Sequence, residues 1–356
     1  MEFVDLSRYI PVKNPKIPSF SQLRKMTPLW MDHDLKILKD EDNISYANLL
    51  AEKGAEVVSI KRRYLRSIYA DRRTFPRRVL LEMTSNCNCL CRMCPQQNLK
   101  RPKMDMDSAL YRSIVDEVDS HGVESFLMFN IGESLLHPEF KQNLEHVNSK
   151  KNLGMIWFST NGNAFNEEKI RIILDSKISY INFSAHAVTE ATYKTVVSKG
   201  DFNVAQANLD KFYELKGIQG LPRKPFFHCQ MIEQETTKHE VDAFIKKHYK
   251  RAEVVSINML EHVTTVENNS FGFKQRERGK LSSCSRVSRE DCLIFSNGDV
   301  TLCDAAYNSE IYLGNIRDKS LSDIWNGQER KKILNLNEQG RMYEIEFCRN
   351  CVDYDI

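Results

Sequence analysis

From residue 79 onward the apolar positions fall into a repeating rhythm. Short runs rich in Val, Ile, Leu and Phe predict strands at 79–84, 125–130, 154–160, 178–184, 226–232 and 254–259. Between them, apolar positions recur at helical spacing over 107–120, 138–150, 166–176, 190–197, 203–216 and 238–249. Asp107 and Asn166 stand where a helix start needs a side-chain acceptor for its first unpaired N–H groups. Strands alternating with helices imply parallel βα units. Six such units predict an α/β fold, a partial (βα)6 barrel of the TIM type that stays open rather than closing at eight. Ligand-binding residues in such folds collect at the C-terminal ends of the strands.

The rhythm is absent on either side. Residues 1–77 open with Pro11, Pro15, Pro18 and Pro28, and a helix is predicted at about 45–69. They read as an N-terminal extension, helical or irregular, with no strand alternation. Residues 263–282 are polar and basic and read as a linker, and 283–356 form a smaller cysteine-bearing module. The predicted organisation is therefore 1–77, 78–262, 263–282 and 283–356.

Composition narrows the class. Apolar residues make up 41% of the 356 and charged residues 28%, as in an ordinary globular protein. The net charge of +3 is too small to argue for nucleic acid or a membrane surface as a partner. No run approaches the ~18–20 apolar residues of a membrane span, and the opening Met1-Glu-Phe-Val-Asp lacks the pattern of a signal peptide. Seven of the ten cysteines fall into two groups with metal-ligand spacing, which fits a reducing cytoplasm better than a disulfide framework.

The first group, Cys87-Asn-Cys-Leu-Cys91-Arg-Met-Cys94, reads as C-x3-C-x2-C directly after an apolar strand. Cys89 sits within the loop as a bystander. Close-set cysteines often bind zinc, but a structural zinc site takes four ligands. Three thiolates on a four-iron cube leave one iron open for a further ligand. Gly132-Glu133 and Ser159-Thr-Asn-Gly162 follow at the ends of the next two predicted strands.

This ordered set resembles the radical S-adenosylmethionine (SAM) superfamily. The resemblance implies that Cys87, Cys91 and Cys94 hold a [4Fe–4S] cluster whose open iron is chelated by SAM. Gly132-Glu133 is similar to the family's Gly-Gly-Glu motif, which contacts the methionine amino group; this chain has Ile131 where the first Gly is common. Thr160, Asn161 and Ser184 match positions that supply polar contacts to SAM, and Met93 matches one whose backbone meets the adenine. The chemistry implied is reductive cleavage of SAM to methionine and a 5′-deoxyadenosyl radical, which takes a hydrogen atom from substrate. A reducing partner such as flavodoxin or ferredoxin is implied with it.

Cys284, Cys303, Cys348 and Cys351 make the second group, with Asn297-Gly298 as the turn of a predicted hairpin before Cys303. This segment resembles the SPASM/twitch extension, in the single-auxiliary-cluster form of the aminocyclitol dehydrogenase type. Four thiolates would close every iron of a second [4Fe–4S] cluster, leaving it to move electrons; zinc on the same four thiolates is the alternative. Cys229 and Cys292 lie in apolar strands and read as core residues.

The resemblance implies an oxidoreductase acting on a sugar, aminocyclitol or similar small polar molecule. A peptide-modifying maturase, a radical epimerase or dehydratase, and a non-catalytic metal-binding protein are the other readings. For the general base, Asp304, His186, Tyr307 and His228 are candidates because they border strand ends or the loop after Cys303.

Overall fold

A computed structural model describes residues 36–37, 73–217, 225–248, 251–252, 254–259, 284–288, 290–349 and 351. The helix predicted at 45–69, the linker at 263–282 and most of the N-terminal extension lie outside them. In chain order the strands are β1 (Lys36–Ile37), β2 (Arg78–Leu81), β3 (Ser125–Leu127), β4 (Met155–Thr160), β5 (Tyr180–Ser184), β6 (Phe226–Glu233), β7 (Val254–Met259), β8 (Asp291–Ile294), β9 (Asp299–Thr301) and β10 (Gly314–Asn315). The helices are α1 (Ser108–His121), α2 (Phe140–Ser149), α3 (Glu167–Leu174), α4 (Glu190–Val196), α5 (Phe202–Lys216), α6 (Val241–His248), α7 (Ser285–Ser288), α8 (Leu321–Trp325) and α9 (Gln328–Glu338). Strand and helix alternate from β2 to β7 as the apolar rhythm predicts. Among the described residues no helix is long and apolar enough to cross a membrane.

The predicted caps are in place. Asp107 accepts from the Leu110 N–H at the start of α1, and Asn166 from the Lys169 N–H at the start of α3. Gly122 ends α1 in the left-handed region at φ 74°, where a side chain would be strained.

Two compact units divide the chain. One contains 68–90, 94–158 and 261–356. In it β2 pairs in parallel with β3, Arg78 opposite Ser125, and β3 with β4, Ser125 opposite Met155. The other edge of β2 is taken by β8, also in parallel, Arg78 opposite Asp291 and Leu81 opposite Ile294. β9 then folds back on β8 as a hairpin, with Gly298 at φ 95° in the predicted turn, and β10 adds antiparallel to β9.

The parallel pairing of β8 was not legible as such in the sequence. Asp291–Ile294 is buried at every position, so its run shows no alternation to say which face or neighbour it takes. Arg78 helps to fix the register, its Nη1 donating to both carboxylate oxygens of Asp291 at 3.2 Å. Deeper in the same unit, Glu290 accepts from Arg77 Nε and Arg330 Nη2.

The second unit contains 1–67, 91–93 and 159–260. Here β5, β6 and β7 are parallel, Ser184 opposite Gln230 and Gln230 opposite Ser256, and β1 closes the β7 edge antiparallel. One face of β5 and β6 carries Phe183 and Phe227, which pack with Phe165, Phe212 and Tyr213. Alternation along the strands puts Asn182, Ser184, His228 and Gln230 on the opposite face.

Candidate active site and cysteine centres

The cysteine loop is tied at its neck. Beyond β2 the Ser85 N–H donates to Met104 O at 3.0 Å and the Met106 N–H to Met83 O at 2.9 Å. Asp105 accepts from Thr84 Oγ1 at 2.5 Å and from Asn86 Nδ2 at 3.0 Å. The segment carrying the cysteines therefore leaves and re-enters the fold at one fixed point. Within it the Cys89 N–H donates to Cys87 Sγ at 3.4 Å, and Cys89 is itself buried. The Cys94 thiol is pushed up to about 11 by burial, to which the neighbouring Cys87 adds. Cys91 bridges antiparallel to Val197, and the Arg92 N–H donates to Val196 O at 2.8 Å. Met93 is buried beside them in the sequence.

Gly132 and Glu133 are brought against that neck. The Glu133 N–H donates to Asn86 O at 2.8 Å. Gly132 has φ 106°, and a Cβ there would stand 2.3 Å from Thr84 O and 2.9 Å from Asn86 O. Only glycine permits this approach, so the residue before the buried Glu133 is fixed against the residue before Cys87.

In the other unit, Thr160 ends β4 with its Oγ1 accepting from the Gly162 N–H at 3.1 Å, and Asn161 Oδ1 accepts from the Asn163 N–H at 2.9 Å. Asn161-Gly162 is thus a tight turn. Ser184 ends β5, half-buried. Two residues on, His186 is 5% exposed with φ 59°.

The four cysteines of the second group all lie in one unit. Cys284 is anchored by Asn337, whose Oδ1 accepts from the Cys284 N–H at 2.6 Å. Cys303 follows β9, and Cys348 and Cys351 close the last described turn. The Cys348 thiol is pushed up to about 12 by burial, with Cys284 and Cys351 adding to the effect. Burial likewise raises Cys303; Arg286 opposes this, and Asp304 and Cys284 add to it. Cys284 thus lies within electrostatic reach of both Cys303 and Cys348.

The family model for the radical SAM superfamily matches residues 81–220, and that for the SPASM iron–sulfur cluster-binding domain matches 284–352. The chain carries a radical SAM domain and a SPASM domain. Its cofactors are accordingly SAM and [4Fe–4S] clusters, the SPASM segment carrying the auxiliary kind.

A relative of this radical SAM protein is the tungsten-containing aldehyde ferredoxin oxidoreductase cofactor-modifying protein of Pyrococcus furiosus, 31% identical over 121 residues. That match covers 34% of the chain and spans a third of the relative's length (33%). The S-adenosyl-L-methionine-dependent 2-deoxy-scyllo-inosamine dehydrogenase of Niallia circulans is 19% identical over 279 residues, covering 76% of this chain and 90% of that one. Among solved structures, BtrN in complex with AdoMet and 2-DOIA shares the fold at a TM-score of 0.52 and 19% identity, over 79% of this chain and 98% of that one. SuiB of Streptococcus suis bound to precursor peptide SuiA does so at 0.52 and 15%, over 87% and 77%.

The donor sets of the radical SAM protein fit iron–sulfur clusters. A buried thiol keeps its proton until a cation takes its place, and the raised Cys94, Cys303 and Cys348 are of this kind. Among the described residues no three Cys, His, Asp or Glu side chains converge as they would around one ion. Cys229 and Cys292 are fully buried in strands, as core residues.

The acid–base candidates differ in setting. Asp304 pairs with Arg286 and its side chain is 44% exposed. Tyr307 is 1% exposed, and its carbonyl accepts from Arg101 Nε at 2.8 Å. His228 is a structural bridge: its Nδ1 meets Tyr180 OH at 2.7 Å and its Nε2 meets Ser256 Oγ at 2.5 Å.

Sequence reasoning missed Glu82, Arg101 and Ser296. Glu82 takes Arg101 on both oxygens, the N–H and hydroxyl of Ser296 at 3.0 and 2.8 Å, Asn130 Nδ2 at 3.3 Å and the Ile131 N–H at 3.4 Å. Arg101 also lies over the Phe295 ring, 4.3 Å from its centroid. The available signal was a single acid inside the apolar run Val79-Leu-Leu-Glu82-Met, since buried acids need partners.

Proposed function

We propose that this chain is a radical SAM oxidoreductase that removes hydrogen from a small polar substrate, a sugar or an aminocyclitol, and oxidises it. The observation that carries this reading is the second thiol set, gathered in a SPASM-matching segment separate from the SAM motif. Hydrogen removal accounts for one electron, and a two-electron oxidation needs somewhere to send the next. The Niallia dehydrogenase, matched over 90% of its length, supports the substrate class.

By their spacing, Cys87, Cys91 and Cys94 would hold the SAM-binding cluster, and Cys284, Cys303, Cys348 and Cys351 the auxiliary one. When bound, these groups supply the one-electron chemistry that removes an unactivated hydrogen. Glu133 would accept from the ammonium of SAM, a charge-assisted contact, with Gly132 allowing the approach. Thr160, Asn161, Ser184 and Met93 would contact its remaining parts. Of the proton acceptors, Asp304 is favoured over Tyr307 because its carboxylate is accessible and adjoins Cys303. Residues 78–262 would be the radical SAM core and 283–356 the auxiliary module, in a cytoplasmic enzyme reduced by a flavodoxin or ferredoxin.

The test is anaerobic reconstitution, chemical reduction, and incubation with SAM and 2-deoxy-scyllo-inosamine. 5′-Deoxyadenosine and an oxidised, carbonyl-bearing product in equal amounts are expected. No 5′-deoxyadenosine from a reduced, intact cluster would reject the activity. 5′-Deoxyadenosine without oxidised product from any sugar or aminocyclitol would favour a peptide-modifying role, supported by the fold shared with peptide-bound SuiB.

A further inference from the structure

Glu240 lies between β6 and α6 and is 5% exposed. Its donors lie at the start of α4. The Val188 N–H donates to Oε2 at 2.6 Å and the Thr189 N–H to the same oxygen at 3.4 Å, while Thr189 Oγ1 donates to Oε1 at 2.5 Å. Burial works against the charged carboxylate, but the Thr189 hydroxyl and the Val188 N–H outweigh it and hold Glu240 below its usual value. Thr189 is also the cap of α4, its Oγ1 accepting from the Thr192 N–H at 3.3 Å.

The other end of α4 meets the first cysteine loop. The Val196 carbonyl accepts from the Arg92 N–H at 2.8 Å, and Val197 bridges antiparallel to Cys91. Residues 91–93 belong to the same compact unit as α4 and Glu240. A helix of seven residues does not persist by itself, so its place is set by what grips it. Tyr193 in its middle is 2% exposed, and its hydroxyl accepts from Asn163 Nδ2 at 3.0 Å. Glu240 grips the first turn, and the cysteine loop is bonded to the last. A buried carboxylate is costly to keep, and this one serves a short helix that carries two backbone contacts to Cys91 and Arg92.

We propose that Glu240 is a positioning residue for the first metal centre, acting through α4 to fix the backbone of residues 91–93. It rests on the reading that Cys91 holds a cluster and that Met93 meets SAM. The action is mechanical. The carboxylate fixes Val188 and Thr189, the cap fixes the first turn, and Val196 and Val197 hold the loop at the far end. Cys284, Cys303, Cys348 and Cys351 belong to the other compact unit and supply the internal control.

The experiment uses the reconstituted full-length protein. Glu240→Ala removes the acceptor. Glu240→Gln keeps an oxygen for the two N–H groups, and its amide nitrogen can donate to Thr189 Oγ1, which reverses that bond without losing it. Two quantities are measured: amide hydrogen exchange at Arg92, against amides of β5 and β6, and the rate at which a chelator takes iron from each cysteine group. In Glu240→Ala, Arg92 should exchange at least tenfold faster, the equivalent of one hydrogen bond to a charged group. Iron at Cys87, Cys91 and Cys94 should leave faster by a similar factor. The β5 and β6 amides and the iron of the second group should stay parental, and Glu240→Gln should restore both readouts. Thr189→Val loses the hydroxyl but keeps the N–H bonds. It should show the same pattern more weakly, and it carries the test if Glu240→Ala does not fold. Parental exchange at Arg92 in the folded variants overturns the proposal. So does faster exchange throughout β5 and β6 with faster iron loss from both groups, which would make Glu240 a general stabiliser. A parent that takes up no iron at the first group would instead reject the wider functional reading; the exchange at Arg92 needs no metal and would still decide whether Glu240 fixes the loop.

Discussion

Arg101 lays its two terminal nitrogens on the two oxygens of Glu82, at 2.7 and 2.6 Å, with side chains 4% and 0% exposed. The pair joins the strand before the first cysteine group to the segment after it. It also holds the N–H of Ile131, the residue before Gly132, and through the Tyr307 carbonyl reaches the turn after Cys303. Breaking a buried pair leaves one charge without compensation. Glu82→Gln or Arg101→Met should therefore lower stability by about 3–5 kcal/mol, read from denaturant unfolding of the reduced protein. A loss below about 1 kcal/mol, the range of exposed pairs, would show that the pair is not buried in solution.

Iron content should separate the two cysteine groups. The reconstituted protein should hold about eight irons, and replacing Cys87, Cys91 and Cys94 by Ala should leave about four. Changing Cys284, Cys303, Cys348 and Cys351 should do the same from the other side. Zinc in place of iron at either group would reject the cluster assigned there. Circular dichroism must accompany the second set, because ligation and folding are linked.

Gly132→Ala would push a methyl group into the carbonyl of Thr84. The backbone must shift, and Glu133 shifts with it. SAM affinity should drop by tenfold or more in Gly132→Ala, and by a similar factor in Glu133→Ala, where a charged contact is lost. Parental binding in both variants would remove this segment from the site.

Acid should destabilise the fold through two buried histidines. Burial lowers His186 to about 4 and His248 to about 3, the latter helped by Lys247 and Arg251. Both are therefore neutral in the folded protein, and their contribution is complete above about pH 6.5, the unfolded value. It is lost as pH falls from there toward 4, at up to about 1.4 kcal/mol per pH unit for each histidine. His186→Phe should reduce the slope of stability against pH in this window. An unchanged slope would mean that His186 is accessible to protons in the folded state.

The barrel rhythm was readable because each strand and helix carries its own periodicity, and Asp107 and Asn166 fixed two helix starts to the residue. The cysteine groups were readable because ligand spacing is written in the sequence. What escaped was long-range. Glu82 finds donors on Arg101, Asn130 and Ser296, and no local pattern says which distant residues will meet. β8 was visible as half of a hairpin but not as a neighbour of β2. The turn at His186 was hidden for the same reason: its N–H donates to Gln230 O, on another strand. His228 lies inside β6 rather than beyond a strand's C-terminal end, and is engaged by Tyr180 and Ser256.

Arg78 and Asp291 stand 213 positions apart and yet share one register. During synthesis, the edge of β2 that β8 will cover is made long before β8 exists. At ordinary translation rates the interval is roughly ten to forty seconds. Throughout it the strand carries an open row of N–H and C=O groups, and Glu82 lacks the two donors of Ser296. An open edge of this kind recruits other strands. The nascent chain is thus at its most vulnerable to aggregation while waiting for residues 291–296, and slow elongation or chaperone shortage at that stage would cost yield before any metal is inserted.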